Sequence, residues 1–113
     1  MPTSGDVVDL DLGAPEGREA GFVHPAVVVT AQRILDAGPT VVHVVPLTTT
    51  LRGFHSELAI EPDGGNGLSE GSAAQCQQLR AVSPRRIVAT RGNVGAITLL
   101  QIRETISVIL DLP

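Results

Sequence analysis

Arg18, Glu19 and His24 fall within seven positions, and Thr48 opens the run Thr48-Thr49-Thr50 with Arg52 close behind. These types could assemble acid–base chemistry on an anion. An imidazole, with an ordinary pKa of about 6.5, takes or gives a proton near neutrality. A guanidinium stays protonated past about pH 12 and is a poor proton shuttle, but its planar fork matches phosphate oxygens and stabilises developing negative charge. A threonine hydroxyl can hydrogen-bond a phosphate oxygen. A solvated polar loop beside an edge-strand threonine accounts for the same residues, so composition by itself leaves both readings open. His43, set among valines, reads as a satisfied core or interface histidine. His55 reads as a surface loop residue and Cys76 as a small buried one.

Other chemistries are excluded more firmly. Cys76 is the sole cysteine, so an internal disulfide and a cysteine-based zinc site are out. The three histidines lack metalloprotease spacing, and no phosphate-cradling loop or dinucleotide fingerprint is present. No cofactor is expected. Two phenylalanines, with no tryptophan or tyrosine, rule out a row of stacked aromatics for nucleic-acid binding. All eight basic residues are arginine, and the formal net charge of −4 sits in the first 19 residues. From Arg80 to Arg103 five arginines occur with no acid among them. A GC-rich genome accounts for the arginine bias, and phosphate contact is the sharper reading. The acidic total argues against tight, sequence-blind binding driven by net charge. The first residues lack a basic region followed by an apolar one, and no apolar run approaches the roughly 18 residues of a membrane span. A soluble cytoplasmic protein is expected.

These residues need a scaffold, and 113 residues fit one domain. From Val8 to Leu12 apolar and acidic residues alternate, the pattern of a half-buried strand. Gly13 to His24 reads as a long loop. Pro25 leads an apolar strand through Thr30, and Ala31 to Ala37 reads as one or two helical turns ended by Gly38-Pro39. Val41 to Val45 is β-branched, and Pro46 is expected to interrupt it. Strands are expected over His55–Ile60 and, mostly polar, over Ala73–Val82. Pro62 to Gly67 is a dense turn cluster, Ser83-Pro84 a turn, Ile87-Val88 a short strand and Gly92 to Gly95 a break. In Gly95–Leu112 the stripe Leu99, Ile102, Ile106 and Ile109 predicts a helix. The order fits a small antiparallel barrel or strongly bent sheet covered by a C-terminal helix.

Taken in order, Gly5-Asp6-Val7-Val8, Gly17-Arg18-Glu19-Ala20-Gly21, His24-Pro25 through Thr30, Val45-Pro46-Leu47-Thr48-Thr49, Arg52-Gly53-Phe54 with Ser56-Glu57-Leu58, and Gln78-Leu79-Arg80-Ala81 resemble the MazF/PemK (Kid) toxins of bacterial toxin–antitoxin pairs. The resemblance covers nearly the whole chain, as one domain over 1–113. It implies a mainly β fold: a small SH3-like antiparallel β-barrel with a C-terminal helix and short connecting helices. It implies a metal-independent endoribonuclease acting on single-stranded RNA, a homodimer, and a cognate antitoxin as partner.

Carried over position by position, the family's Arg-Pro ahead of the second strand falls on His24-Pro25, with the spacing from Glu19 kept. The family threonine matches Thr48, and the polar residue between Gly and Glu falls on Arg18. The Kid-like Arg-Cys-Asp-Gln segment matches Gln75-Cys76-Gln77-Gln78, so its Arg and Asp are both replaced by Gln. The basic position beyond it matches Arg80. Cleavage by the 2′-hydroxyl needs one proton taken, one given and charge stabilised on the phosphorane. The expected division gives His24 the proton transfer, Arg18 the phosphorane charge and Thr48 the positioning, with Glu19 orienting Arg18 or His24. Arg52, Gln75, Gln77 and Arg80 are the expected RNA contacts. The alternative on the same scaffold is a non-catalytic CcdB-like toxin that inhibits DNA gyrase by binding it, which needs no such set of loop and strand-end groups.

Overall fold

The computed structural model describes residues 1–13 and 23–113. Strand β1 (Asp6–Asp11) lies between β2 (Val23–Val28) and β7 (Ile87–Asn93), both antiparallel to it. Strand β3 (Val42–Thr48) pairs with β2 on one edge. On its other edge it meets first β6 (Arg80–Val82), then β5 (Ser72–Gln75), which carries β4 (Glu57–Ile60). No ladder joins β6 or β4 to β7 among the described residues, so the expected barrel is an open, strongly bent antiparallel sheet.

Valine-rich strands can be buried on both faces, and these are. Val7, Val27, Val45, Leu47 and Ile60 pack with Leu99 and Ile102 on one side; Val8, Leu10, Ala26, Val28, Val42 and Val44 pack with Leu35 on the other. Helix α2 (Gly95–Ile109) covers the first cluster, and the short helix α1 (Gln32–Asp36) supplies Leu35 to the second. In the expected stripe Leu99 and Ile102 are buried and Ile106 half-buried, but Ile109 is exposed where the helix ends. Arg103 fastens α2 to the sheet: its guanidinium donates to Val29 O at 3.1 Å and to Ser4 Oγ at 2.7 Å. Cys76 is buried as expected, and that burial pushes its thiol pKa up to about 11.

Four boundaries differ from the sequence reading. Pro46 does not interrupt β3. On the β6/β5 edge the two ladders leave Val45 and Pro46 unpaired, so the missing N–H costs no bond there. Nor does Pro25 lead its strand, since β2 starts at Val23 and His24 is a strand residue. The expected strand over Ala73–Val82 is split by a 3₁₀ turn at Cys76–Gln78, which moves the chain from the β5 ladder to the β6 ladder. The expected two-residue strand at Ile87 runs on to Asn93, into the first half of the expected Gly92–Gly95 break, because it stays paired with β1 that far; Gly92 lets the Pro62–Gly67 loop close on it, since a Cβ there would stand 2.2 Å from Gly65 O.

Candidate catalytic site and nucleic-acid interface

His24 is half-buried on β2, opposite Leu10 of β1. The β2–β3 ladder pairs Val28 with Val44, Val27 with Val45 and Ala26 with Pro46. The ladder ends at that last pair, two residues short of His24 on β2 and of Thr48, the last residue of β3. The Thr48 Oγ1 accepts from Thr50 N at 3.1 Å, which fixes the hydroxyl and leaves its O–H free to donate.

From Thr48 a polar face spreads across the sheet. Thr48 is paired with Ala73, Ala73 with Ala59, and Gln75 with Glu57. Side chains alternate along strands, so these five share a face, while Leu47, Ala74, Leu58 and Ile60 turn to the core on the other. Two alanines at its centre leave the floor low, with longer polar groups at its rim.

That rim is organised by Glu57, whose side chain is only 2% exposed. Arg52 forms an ion pair with its Oε2, and Gln77 Nε2 donates to the same oxygen at 2.7 Å. The Arg52 hydrogen bond, followed by that of Gln77, holds the Glu57 carboxyl below its ordinary value. Arg52 also lies over the Phe54 ring, 4.8 Å from its centroid, which restrains the guanidinium from a second side. Arg52, Gln75 and Gln77 are thus brought to one place, as residues that contact one ligand must be. Arg80 is apart from them: it pairs with Val44, four positions along β3 from Thr48, or about 13 Å. Arg18 and Glu19 lie outside the described residues. Glu57 was not among the residues singled out for the site. Its signal in the sequence is a lone acid inside the Ser56-Glu57-Leu58 motif, and nothing local ties it to Gln77, twenty positions on. His43, read as a core or interface residue, is exposed on this chain, and His55 is exposed as expected.

The arrangement offers an imidazole and a hydroxyl at adjacent strand ends, opening onto a face lined by amide and guanidinium donors. Those donors suit an anionic, base-bearing polymer. The chain was compared with known proteins. Residues 3–110 match the family model described as PemK-like, MazF-like toxin of type II toxin–antitoxin system. A curated relative named Endoribonuclease MazF9, from Mycobacterium tuberculosis (strain ATCC 25618 / H37Rv), is 30% identical over 116 residues, covering 99% of this chain and 98% of its own length. A solved MazE–MazF structure from Deinococcus radiodurans superposes with a TM-score of 0.81 at 20% identity, covering 99% of this chain and 97% of the other. An endoribonuclease in complex with its cognate antitoxin, from a mycobacterial species, superposes with a TM-score of 0.79 at 21% identity, covering 100% and 98%. The CcdB-like, gyrase-directed alternative finds no support in these matches. By fold and by sequence match alike, the chain belongs to the PemK-like, MazF-like toxins of type II toxin–antitoxin systems.

Proposed function

We propose that this toxin is an endoribonuclease that cuts single-stranded RNA at selected sequences without a bound metal, in the cytoplasm, as a homodimer restrained by a cognate antitoxin. The observation that carries the reading is the Arg52–Glu57–Gln77 face beside Thr48, with His24 on the neighbouring strand just beyond the end of the β2–β3 ladder, in a chain 30% identical to a protein named an endoribonuclease. His24 takes the proton from the 2′-hydroxyl. The 2′-oxygen forms its bond to phosphorus as the bond to the 5′-oxygen breaks; a solvent water gives that leaving oxygen a proton, and the hydroxide left behind takes the proton held on His24. The products are a 2′,3′-cyclic phosphate and a 5′-hydroxyl. Thr48 donates its O–H to a phosphate oxygen, and Arg18 meets the phosphorane charge, with Glu19 orienting Arg18 or His24. Each well-placed proton-transfer group adds roughly 10²–10⁴-fold.

The test is cleavage of an unstructured RNA in EDTA, with the ends of the products identified. Cleavage that survives chelation and leaves cyclic phosphate is expected. His24→Ala is expected to remove most turnover while leaving the protein folded. Full activity in that variant ends the assignment of His24, and intact RNA under all buffers ends the nuclease reading.

A further inference from the structure

The five arginines between Arg80 and Arg103 divide into two kinds. Arg91 is paired with Asp9 at 3.0 Å, and Arg103 is spent on main-chain carbonyls and Ser4. Arg80 and Arg85 have no ion-pair or hydrogen-bonding partner for their guanidinium groups among the described residues. Arg86 uses one N–H, donating from Nη1 to Asp11 O at 3.1 Å, which leaves four of its five donors. Arg85 and Arg86 sit in the short 3₁₀ turn Pro84–Arg86, both exposed. Ser83 caps that turn, its Oγ accepting from Arg85 N at 3.2 Å and keeping its own O–H free.

This turn borders a cleft of about 350 Å³ lined by Asp11, Gly13, Ser83, Arg85, Arg86 and Val88. Its position relates it to the cutting row. Leu10 pairs with His24 on one side and with Ile87 on the other. Arg86 immediately precedes Ile87, so it lies about two strand spacings, roughly 10 Å, from the His24 row. Among the described residues the one carboxylate lining the cleft is Asp11, whose Oδ1 accepts from Gly13 N at 2.8 Å.

We infer that Arg85 and Arg86, with the Ser83 hydroxyl, form a second phosphate-binding site that holds the RNA backbone outside the cut nucleotides. The inference rests on the endoribonuclease reading for its substrate. Two guanidinium groups with unspent donors, one anchored to the end of β1, suit a phosphate better than a base, since no aromatic ring lines the cleft among the described residues. The site therefore adds affinity for longer strands without adding sequence preference, and it gives a protein of net charge −4 a local hold on a polyanion.

The experiment compares wild type with Arg85→Gln/Arg86→Gln for binding to a long and a short unstructured RNA, each 2′-O-methylated throughout so that neither can be cut. The long strand is expected to bind the double variant more weakly, with a log–log salt slope shallower by about 1.4, two phosphates at about 0.7 each for single strands. The short strand is expected to bind both proteins alike. Arg85→Lys/Arg86→Lys keeps the charge and restores most of the slope, while Arg33→Gln, which removes one charge on α1, leaves it unchanged. Equal affinity and slope for wild type and the Gln variant on the long strand overturn the inference. If polyglutamate binding weakens in their place, the pair is an acidic-peptide surface. Cleavage of unmodified RNA is scored separately. A wild type that binds the long strand through these arginines but cuts nothing loses the nuclease reading and keeps the site. One that binds neither strand loses both.

Discussion

The Glu57 carboxylate is held by the Arg52 guanidinium from five positions before it and by the Gln77 amide from twenty positions after it. Among the described residues its Oε1 is buried without a hydrogen-bond partner, so the group depends on the pair made by its other oxygen. Glu57→Gln removes the charge but keeps the shape. Arg52 and Gln77 then lose their fixed geometry, and Arg52 is no longer neutralised. The expected result is RNA binding with a steeper salt dependence and less discrimination between sequences, read from KM on matched and mismatched oligonucleotides. Unchanged discrimination would show that the pair does not position anything. The pH dependence has a definite sign. The folded-state pKa of Glu57 is lowered from 4.5, so its contribution to stability is complete above that value and is lost as pH falls through the depressed one. The stability difference between wild type and Glu57→Gln is therefore constant from neutral pH down to about that ordinary value and closes below it, which acid titration of both proteins measures.

At the scale of elements, the sheet is held in its bent form by a close contact between a loop and an edge strand. Gly92 of β7 meets Gly65 and Asn66, and Gly67 meets Arg91; a Cβ on Gly67 would stand 2.3 Å from Arg91 O. Asn66 is 1% exposed and closes the loop from within, donating to Glu61 O at 2.8 Å and accepting from Leu68 N at 3.0 Å. Gly92→Ala is expected to destabilise by about 1–3 kcal/mol, the usual cost of overpacking. Gly64→Ala, where a Cβ meets nothing within 4 Å, is expected to be close to neutral, and a pair of denaturant melts separates them. Ile102, fully buried between α2 and the sheet, is expected to cost about 2–5 kcal/mol as Ile102→Ala. A smaller loss would mean that α2 packs more loosely than its contacts indicate. The turn cluster at Pro62–Gly67 was legible because Pro, Asp, Gly and Asn mark turns locally. The 3₁₀ turn at Cys76–Gln78 was not, because no residue in Gln75-Cys76-Gln77-Gln78 breaks a strand. What breaks it is the need to pass from one ladder on β3 to another.

For the whole molecule, the distribution of charge outweighs its sum. The acid excess lies in the N-terminal part of the sequence, while Arg80 on β6 and Arg85 and Arg86 on the β6–β7 connection keep unspent donors, so an acidic protein can still present a basic path. Exposed apolar side chains, including Ile34, Val41, Leu110 and Leu112, offer surface that the proposed homodimer could bury. Equilibrium sedimentation is expected to return twice the chain mass of 11.8 kDa, and a monomer at all concentrations would overturn the proposed homodimer. No helix among the described residues is long and apolar enough to cross a membrane.

The sequence by itself determined the element types, most turns and the family. Alternation, β-branched runs and Gly/Pro punctuation act over a few residues and can be read without knowing what lies across the fold. The order of short motifs also placed His24 and Thr48 on the page together, though only as names at a distance of 24 positions. The tertiary structure alone decided that β2 and β3 pair in a ladder that ends two residues short of both, that Glu57 gathers Arg52 and Gln77, and which arginines are spent on the fold. Each of these is a pairing between remote segments. It is set by which strand edges and apolar faces are buried together, and no local pattern encodes it.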